Sequence, residues 1–211
     1  MSPKEFNKAF CVNLMQLELH LHPFVKGHFK GASGNCILQY FDKDAVLANV
    51  VATNRVAAYL VQLCAETLRY LDCVIGMAPS ASQLAAFFAF QWMTRKGQQV
   101  VTARAEKKDS EIFIRHTFLS AMQKVNPLKV LVVEDAVTTG GSARKLVDHL
   151  RSCGFEVVGV VAVCEHEKMS AEDFGVPFYK ALVTIGDKPL APQECPKCCN
   201  DIPHDKILGH G

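Results

Sequence analysis

The chain has 211 residues, 49% of them hydrophobic, with a formal net charge of +2 at pH 7. That length suits one domain with a small appendage, and that apolar share supplies a substantial core. A near-neutral balance argues against bulk attraction to nucleic acid or a membrane surface, so an anionic substrate has to be met by local donors. No apolar run is long enough to span a bilayer, and the opening Met-Ser-Pro-Lys-Glu-Phe lacks a signal-peptide core, so a cytoplasmic location is expected. The nine cysteines are an odd number, against a complete disulfide framework. Cys11, Cys36, Cys64, Cys73, Cys153 and Cys164 lie singly in apolar segments and read as reduced, buried small hydrophobes.

In chain order, Phe6, Phe10, Leu14, Leu17 and Leu21 recur at helical intervals, predicting an amphipathic helix over residues 4–20 that stops near Pro23. Residues 27–34 read as a glycine-rich turn region and 36–41 as a short strand. Residues 49–71 carry a helical stripe through Val56, Leu60, Leu63, Cys64, Thr67 and Leu68. A strand starts at Cys73, residues 76–82 form a loop, and 83–96 make an apolar helix. Residues 100–102 are a further short strand, after which Arg104, Lys107 and Lys108 stand in a charged loop, and 112–118 return as a hairpin strand.

Residues 130–141 read VLVVEDAVTTGG. Val130 to Val133 suit a strand buried on both faces of a parallel sheet. Glu134 and Asp135 follow, then the small or hydroxylated Thr138, Thr139, Gly140, Gly141 and Ser142. Ala143, Leu146, Val147 and Leu150 then recur at helical spacing, with Gly154 as a C-terminal cap. A permissive loop feeding a helix start offers unpaired N–H groups and the positive end of the helix dipole, which suits a phosphate. The acidic pair accepts hydrogen bonds from vicinal hydroxyls nearby. Together these describe a ribose-5-phosphate site. Neither Gly-Lys-Ser/Thr nor Gly-x-Gly-x-x-Gly accompanies the strand, which sets aside a P-loop and a dinucleotide fingerprint. Residues 156–163 are another buried strand, leading to Glu165 and His166, and 178–185 a last one. Cys195 and Cys198 make half of a zinc knuckle. Two ligands are too few and the spacing to His204 and His210 is not that of a finger, so a tail of reduced thiols is expected.

The motif at residues 130–142 closely resembles the phosphoribosyl-diphosphate motif of type I phosphoribosyltransferases, most of all the orotate enzymes. The resemblance implies an α/β fold with a mainly parallel sheet flanked by helices, one domain over residues 1–211, and a hood and tail from about 1–45 and 186–211. It implies Mg²⁺-dependent transfer of ribose-5-phosphate from phosphoribosyl diphosphate to a pyrimidine base, orotate in the first instance, and a homodimer. Glu134 and Asp135 would hold the ribose hydroxyls, and Ala136, Val137, Thr138, Thr139, Gly140, Gly141 and Ser142 the 5-phosphate. Ala78, Pro79 and Ser80 would take the pyrophosphate through backbone amides. Arg104, Lys107 and Lys108 would close over the diphosphate, the two lysines counted with the acidic pair as catalytic. Residues 27–43 resemble the family's hairpin against the base, which assigns Tyr40, Phe41 and Lys43 to the base side with Thr138 and His166. His166 stands where the orotate enzymes usually place an arginine, which leaves a phosphoribosyltransferase for another base open. The thinned basic loop leaves open a non-catalytic sensor of phosphoribosyl diphosphate or a nucleotide.

Overall fold

The computed structural model describes residues 24–31, 34–77, 79–108, 111–114 and 128–207. The helix expected over 4–20, Ala78, the 115–118 end of the expected hairpin strand and His210 lie outside these residues. The main sheet has six strands in the order β5-β4-β3-β6-β7-β8. These are β3 (Cys73–Met77), β4 (Val101–Lys108), β5 (Glu111–Ile114), β6 (Lys129–Val137), β7 (Glu156–Glu165) and β8 (Tyr179–Thr184). All neighbours are parallel except the β4–β5 hairpin. The mainly parallel α/β sheet expected from alternating strand and helix signals is therefore present.

β6 lies at the centre, and its residues explain why. Leu131 and Val133 pack into one apolar cluster with Leu60, Leu84, Phe88 and Trp92, from α2 (Val50–Cys64) and α3 (Ser80–Lys96). Val130 and Val132 pack into the other, with Leu146, Val147 and Leu150 of α4 (Gly141–Ser152). With both faces covered, a continuous run of β-branched residues is the stable choice.

Local chemistry sets the helix ends. The Asn49 side chain accepts from Ala52 N at 3.0 Å and starts α2. α2 ends at Cys64, short of the expected 71; Leu68 and Leu71 are buried as a loop rather than as helix, which is why their periodicity looked helical. α3 begins at Ser80, three residues earlier than expected, and ends at Gly97 with φ +65°. Gly154 (φ +85°) follows α4 as expected.

Three expectations are corrected. The turn expected from residue 27 is instead part of β1 (Phe24–Lys30), which pairs antiparallel with β2 (Cys36–Phe41) and parallel with β9 (Lys206–Ile207) in a separate three-stranded sheet. Gly27 sits in a strand because the Phe29 ring and the Asp205 carboxylate fill the place of a side chain. The charged stretch from Arg104 to Lys108 is strand, not loop: Arg104 pairs beside Gly76 of β3, and Ala105 to Lys108 pair with β5, anchored by buried Ala105, Ile112 and Ile114. β6 runs through Val137, so the acidic pair lies within the strand. Consecutive strand residues point to opposite faces. Asp135 therefore shares the face of Leu131 and Val133, and Glu134 that of Val130 and Val132.

After β2 comes α1 (Lys43–Leu47), capped by the Asp42 side chain and packed against α2 and α3. Among the described residues no helix is long and apolar enough to cross a membrane.

Candidate active site

Asp135 is the hub at the carboxyl end of β6. It is 8% exposed. Lys43 Nζ lies 3.1 Å from its Oδ2 and also donates to Ser80 Oγ at 3.2 Å, while Ser80 Oγ donates to the same carboxylate. The Ala136 amide donates to Asp135 Oδ1 at 2.7 Å. The fold thus turns Lys43 inward from the segment after β2 and brings it onto the acidic pair. Ser80 arrives at the first turn of α3, and that turn can lie so close to β3 because residue 76 is glycine: a Cβ there would fall on the Ala81 carbonyl.

Glu134 is settled differently. It is buried, and its Oε1 has no hydrogen-bond partner among the described residues. Burial, and then the Asp135 charge, push its carboxyl up to about 8, with Lys43 pulling the other way. Near neutral pH it is largely protonated. A buried carboxyl oxygen with nothing to bond is costly, and such groups recur where a ligand is meant to meet them.

The loop after β6 is braced from behind. Gly140 is left-handed (φ +73°), and a Cβ there would lie 2.8 Å from the Phe174 ring and 3.1 Å from the Met169 methyl. It precedes α4 with no side-chain cap, so the first N–H groups of α4 stay open. Thr138, Thr139 and Ser142 are exposed beside it. Arg144 Nη2 donates to the Thr139 carbonyl at 2.6 Å and Nη1 to the Asp173 carbonyl at 3.3 Å. Sequence reasoning missed Arg144. Its place one turn into α4 was the available signal, but Asp173 lies 29 residues further on.

On the expected base side, Phe41 is buried in the core against Phe24 (centroids 5.6 Å apart), and half-buried Tyr40 meets Phe29 edge-on at 4.7 Å. His166 follows β7 and is 3% exposed. Its amide donates to the Val137 carbonyl, which sets it beside the loop after β6, and its Nδ1 lies 3.4 Å from the Asp187 carbonyl. Burial holds the imidazole below its usual range, hence neutral, against the opposing pull of Asp187. Glu165 is fully engaged by Tyr179 Oη, Thr184 Oγ1 and Met169 N at 2.8, 2.6 and 3.1 Å.

Other candidates stand apart from this hub. Arg104 is ion-paired to Glu106 at 3.1 Å on the exposed side of β4, and Lys107 and Lys108 are exposed further along it. Pro79 is the N-cap residue of α3. Cys195 and Cys198 are not alone as expected: His28 of β1 and Cys36 of β2 join them, all four donor atoms lying within 4.8 Å of one another. Those partners were invisible in the sequence because they lie more than 160 residues away.

A buried acidic pair on a central strand, opening into a glycine loop and an uncapped helix start, is the arrangement of a ribose-phosphate transfer site. A family model described as phosphoribosyl transferase domain matches residues 55–184, and the chain belongs to that family. Its curated relatives narrow the class. The orotate phosphoribosyltransferase of Carboxydothermus hydrogenoformans is 33% identical over 92% of this chain and 95% of its own, and that of Caldicellulosiruptor bescii 30% identical over 90% and 92%. Among solved structures, the orotate phosphoribosyltransferase of Mycobacterium tuberculosis H37Rv in complex with Fe(III) dicitrate shares the fold with a TM-score of 0.61 at 22% identity, over 88% of this chain and 97% of that one.

Proposed function

We propose that the chain transfers ribose-5-phosphate from phosphoribosyl diphosphate to orotate, forming orotidine 5′-monophosphate and pyrophosphate. The observation that carries this reading is the acidic pair at the end of β6: one carboxylate ion-paired to Lys43, the other buried with a free oxygen, both beside an uncapped helix start. Relatives of that name match most of the chain.

In the reaction the anomeric C–O bond to pyrophosphate breaks, the C–N bond to the base forms, and the proton of the base nitrogen leaves on the released pyrophosphate. Positive charge builds on the ribose as the first bond lengthens, as in glycoside cleavage. Asp135 and Glu134 orient the ribose hydroxyls, and Asp135 favours that charge. The amides of residues 136–142 with the Thr138, Thr139 and Ser142 hydroxyls hold the 5-phosphate, and Arg144 keeps the loop in shape from behind. The start of α3 at Pro79 and Ser80, with Ala78, takes the pyrophosphate. Lys107 and Lys108, with Arg104, close over it. Asp135 offers hard carboxylate oxygens, and Glu134, with an unpartnered oxygen, would join them once a nearby cation draws off its proton, a pair that fits Mg²⁺. Glu134 and Asp135 would be the residues to hold it, and the ion would supply charge neutralisation for the leaving group.

Tyr40, Lys43, Thr138 and His166 form the base side, with Phe41, next to Tyr40 in sequence, packed in the core. A neutral His166 has no bidentate fork for a carboxylate, and this favours a second reading, transfer to a base other than orotate. Residues 24–45 and 186–207 serve as hood and tail of one domain. The active form is a homodimer, a reading supported by exposed Val50, Val51 and Phe90, which line an apolar groove of about 490 Å³ between α2 and α3. The described cysteines form no disulfide with one another, which supports a cytoplasmic setting.

The test is a base screen. Protein, phosphoribosyl diphosphate and Mg²⁺ are mixed in turn with orotate, uracil and purine bases, and pyrophosphate release is followed. Release with orotate is expected. Release only with another base moves the specificity, and binding of phosphoribosyl diphosphate without release from any base makes the chain a sensor.

A further inference from the structure

We propose that His28, Cys36, Cys195 and Cys198 form a structural zinc site that fastens the C-terminal tail onto the β1–β2 hairpin. Three thiols and one imidazole are a familiar donor set for structural zinc, and soft sulfur donors disfavour Mg²⁺ or Ca²⁺. The four donors come from three separate pieces of chain: β1, β2, and the turn and short helix α5 (Pro196–Cys199).

The sulfur–nitrogen distances suit a tetrahedron, and the Cys36 and Cys198 sulfurs stand about 0.6 Å inside its edge. With Zn–S bonds of about 2.3 Å and Zn–N bonds of about 2.0 Å, its edges are roughly 3.8 Å between sulfurs and roughly 3.5 Å between sulfur and nitrogen. His28 Nε2 lies 3.5 Å from Cys195 Sγ and 3.4 Å from Cys198 Sγ, and Cys36 Sγ lies 3.2 Å from Cys198 Sγ. His28, Cys36 and Cys195 are fully buried.

The surroundings are also those of a metal ligand set. His28 Nδ1 is 3.1 Å from the Pro203 carbonyl. A carbonyl only accepts, so Nδ1 carries the proton and Nε2 presents its lone pair to the sulfurs, the usual way a protein orients a ligating imidazole. The Lys197 and Cys198 amides hydrogen-bond Cys195 Sγ. His204 stacks on the His28 ring at 4.1 Å, with its Nε2 3.6 Å from Cys36 Sγ and 3.9 Å from Cys198 Sγ. It covers the cluster from outside the set of four. A disulfide between Cys36 and Cys198 would not account for Cys195 and His28 Nε2 converging on the same point. Four protein donors close the shell, so the site holds structure and leaves no open position for chemistry.

The test begins with the full chain as purified from cells supplied with zinc. Metal analysis is expected to find about one zinc per chain, and Co²⁺ added to the chelator-stripped chain is expected to give the thiolate-to-cobalt charge-transfer and intense visible bands of a tetrahedral thiolate site. Cys198→Ser and His28→Ala lose the metal, whereas Cys199→Ser, at an exposed thiol, and His204→Ala keep it. A folded wild-type chain without zinc and without the cobalt bands overturns the proposal, as does a mass showing a Cys36–Cys198 disulfide. Retention of full metal by both ligand variants overturns it too. Should those variants fail to fold, wild-type zinc content and the cobalt spectrum decide alone.

Discussion

The carboxyl end of β6 and the hood sheet each gather polar side chains around a buried point, and they resolve them in opposite ways. At β6, Lys43 and Ser80 satisfy Asp135, but Glu134 keeps an unmet oxygen and α4 keeps its first N–H groups open. In the hood, each of the four soft donors faces the others and the remaining imidazole nitrogen is already spent on Pro203. Unmet polar groups cost stability, and a region that must take up and release a ligand carries that cost. A region that only fastens chain to chain has no use for it. The difference marks one end of the molecule as chemistry and the other as support.

The strongest way to break this contrast is to remove the carboxylates. Glu134→Gln with Asp135→Asn is expected to lower kcat by roughly 10³-fold or more while circular dichroism and melting show an intact fold; full activity would remove the ribose role. Next is the loop. Gly140→Ala imposes a left-handed alanine against Phe174 and is expected to cost about 1–3 kcal/mol, read as a lower Tm together with weaker binding of phosphoribosyl diphosphate. Lys43→Ala leaves a buried carboxylate without its cation. It is expected to cost roughly 1–3 kcal/mol and to raise the Glu134 carboxyl further, since Lys43 is what pulls it down.

A subtler effect sharpens the account of Glu134. Its folded value of about 8 lies above the ordinary 4.5. Between those values the folded chain holds a proton that the unfolded chain has released, so stability falls as pH rises through that window. Glu134→Gln has no such proton, and its Tm is expected to decline less than the wild type's from pH 5 to about 8.5. The smallest effect concerns the exposed Arg104–Glu106 pair. Glu106→Gln should change stability by less than about 0.5 kcal/mol in a denaturant titration.

What could be read from the chain alone follows the reach of each interaction. Residues 130–142 were legible because strand, loop and helix start are contiguous and each part has a local pattern. The two-face burial of β6 followed from four consecutive apolar residues. The exit point of the strand did not, because Glu134 to Val137 are held by pairing with β7 and by nothing in their own polarity. Residues 104–108 looked like loop for the same reason, their strand being fixed by β3 and β5. The resemblance assigned Lys43 to the base side, and its ion pair with Asp135 was not legible because that partner is far along the chain. Gly27 looked like a turn because what excludes a side chain there is Asp205.

The separation between the hood's two halves also has a cost in time. Cys195 follows His28 by 167 residues, so at about 5–20 residues per second a ribosome needs roughly 8–33 s to make the second half after the first. During that interval β1 and β2 can form a hairpin, but Cys36 lacks its partner thiols and the Cys36–Leu190 bridge has nothing to close on. The sheet strands through β8 are all made before the tail. A nascent chain therefore makes the acidic pair of β6 and its loop first and the tail last, and a ribosome that stops before residue 190 leaves the β1–β2 hairpin without its Leu190 bridge, even with every strand of the main sheet already made.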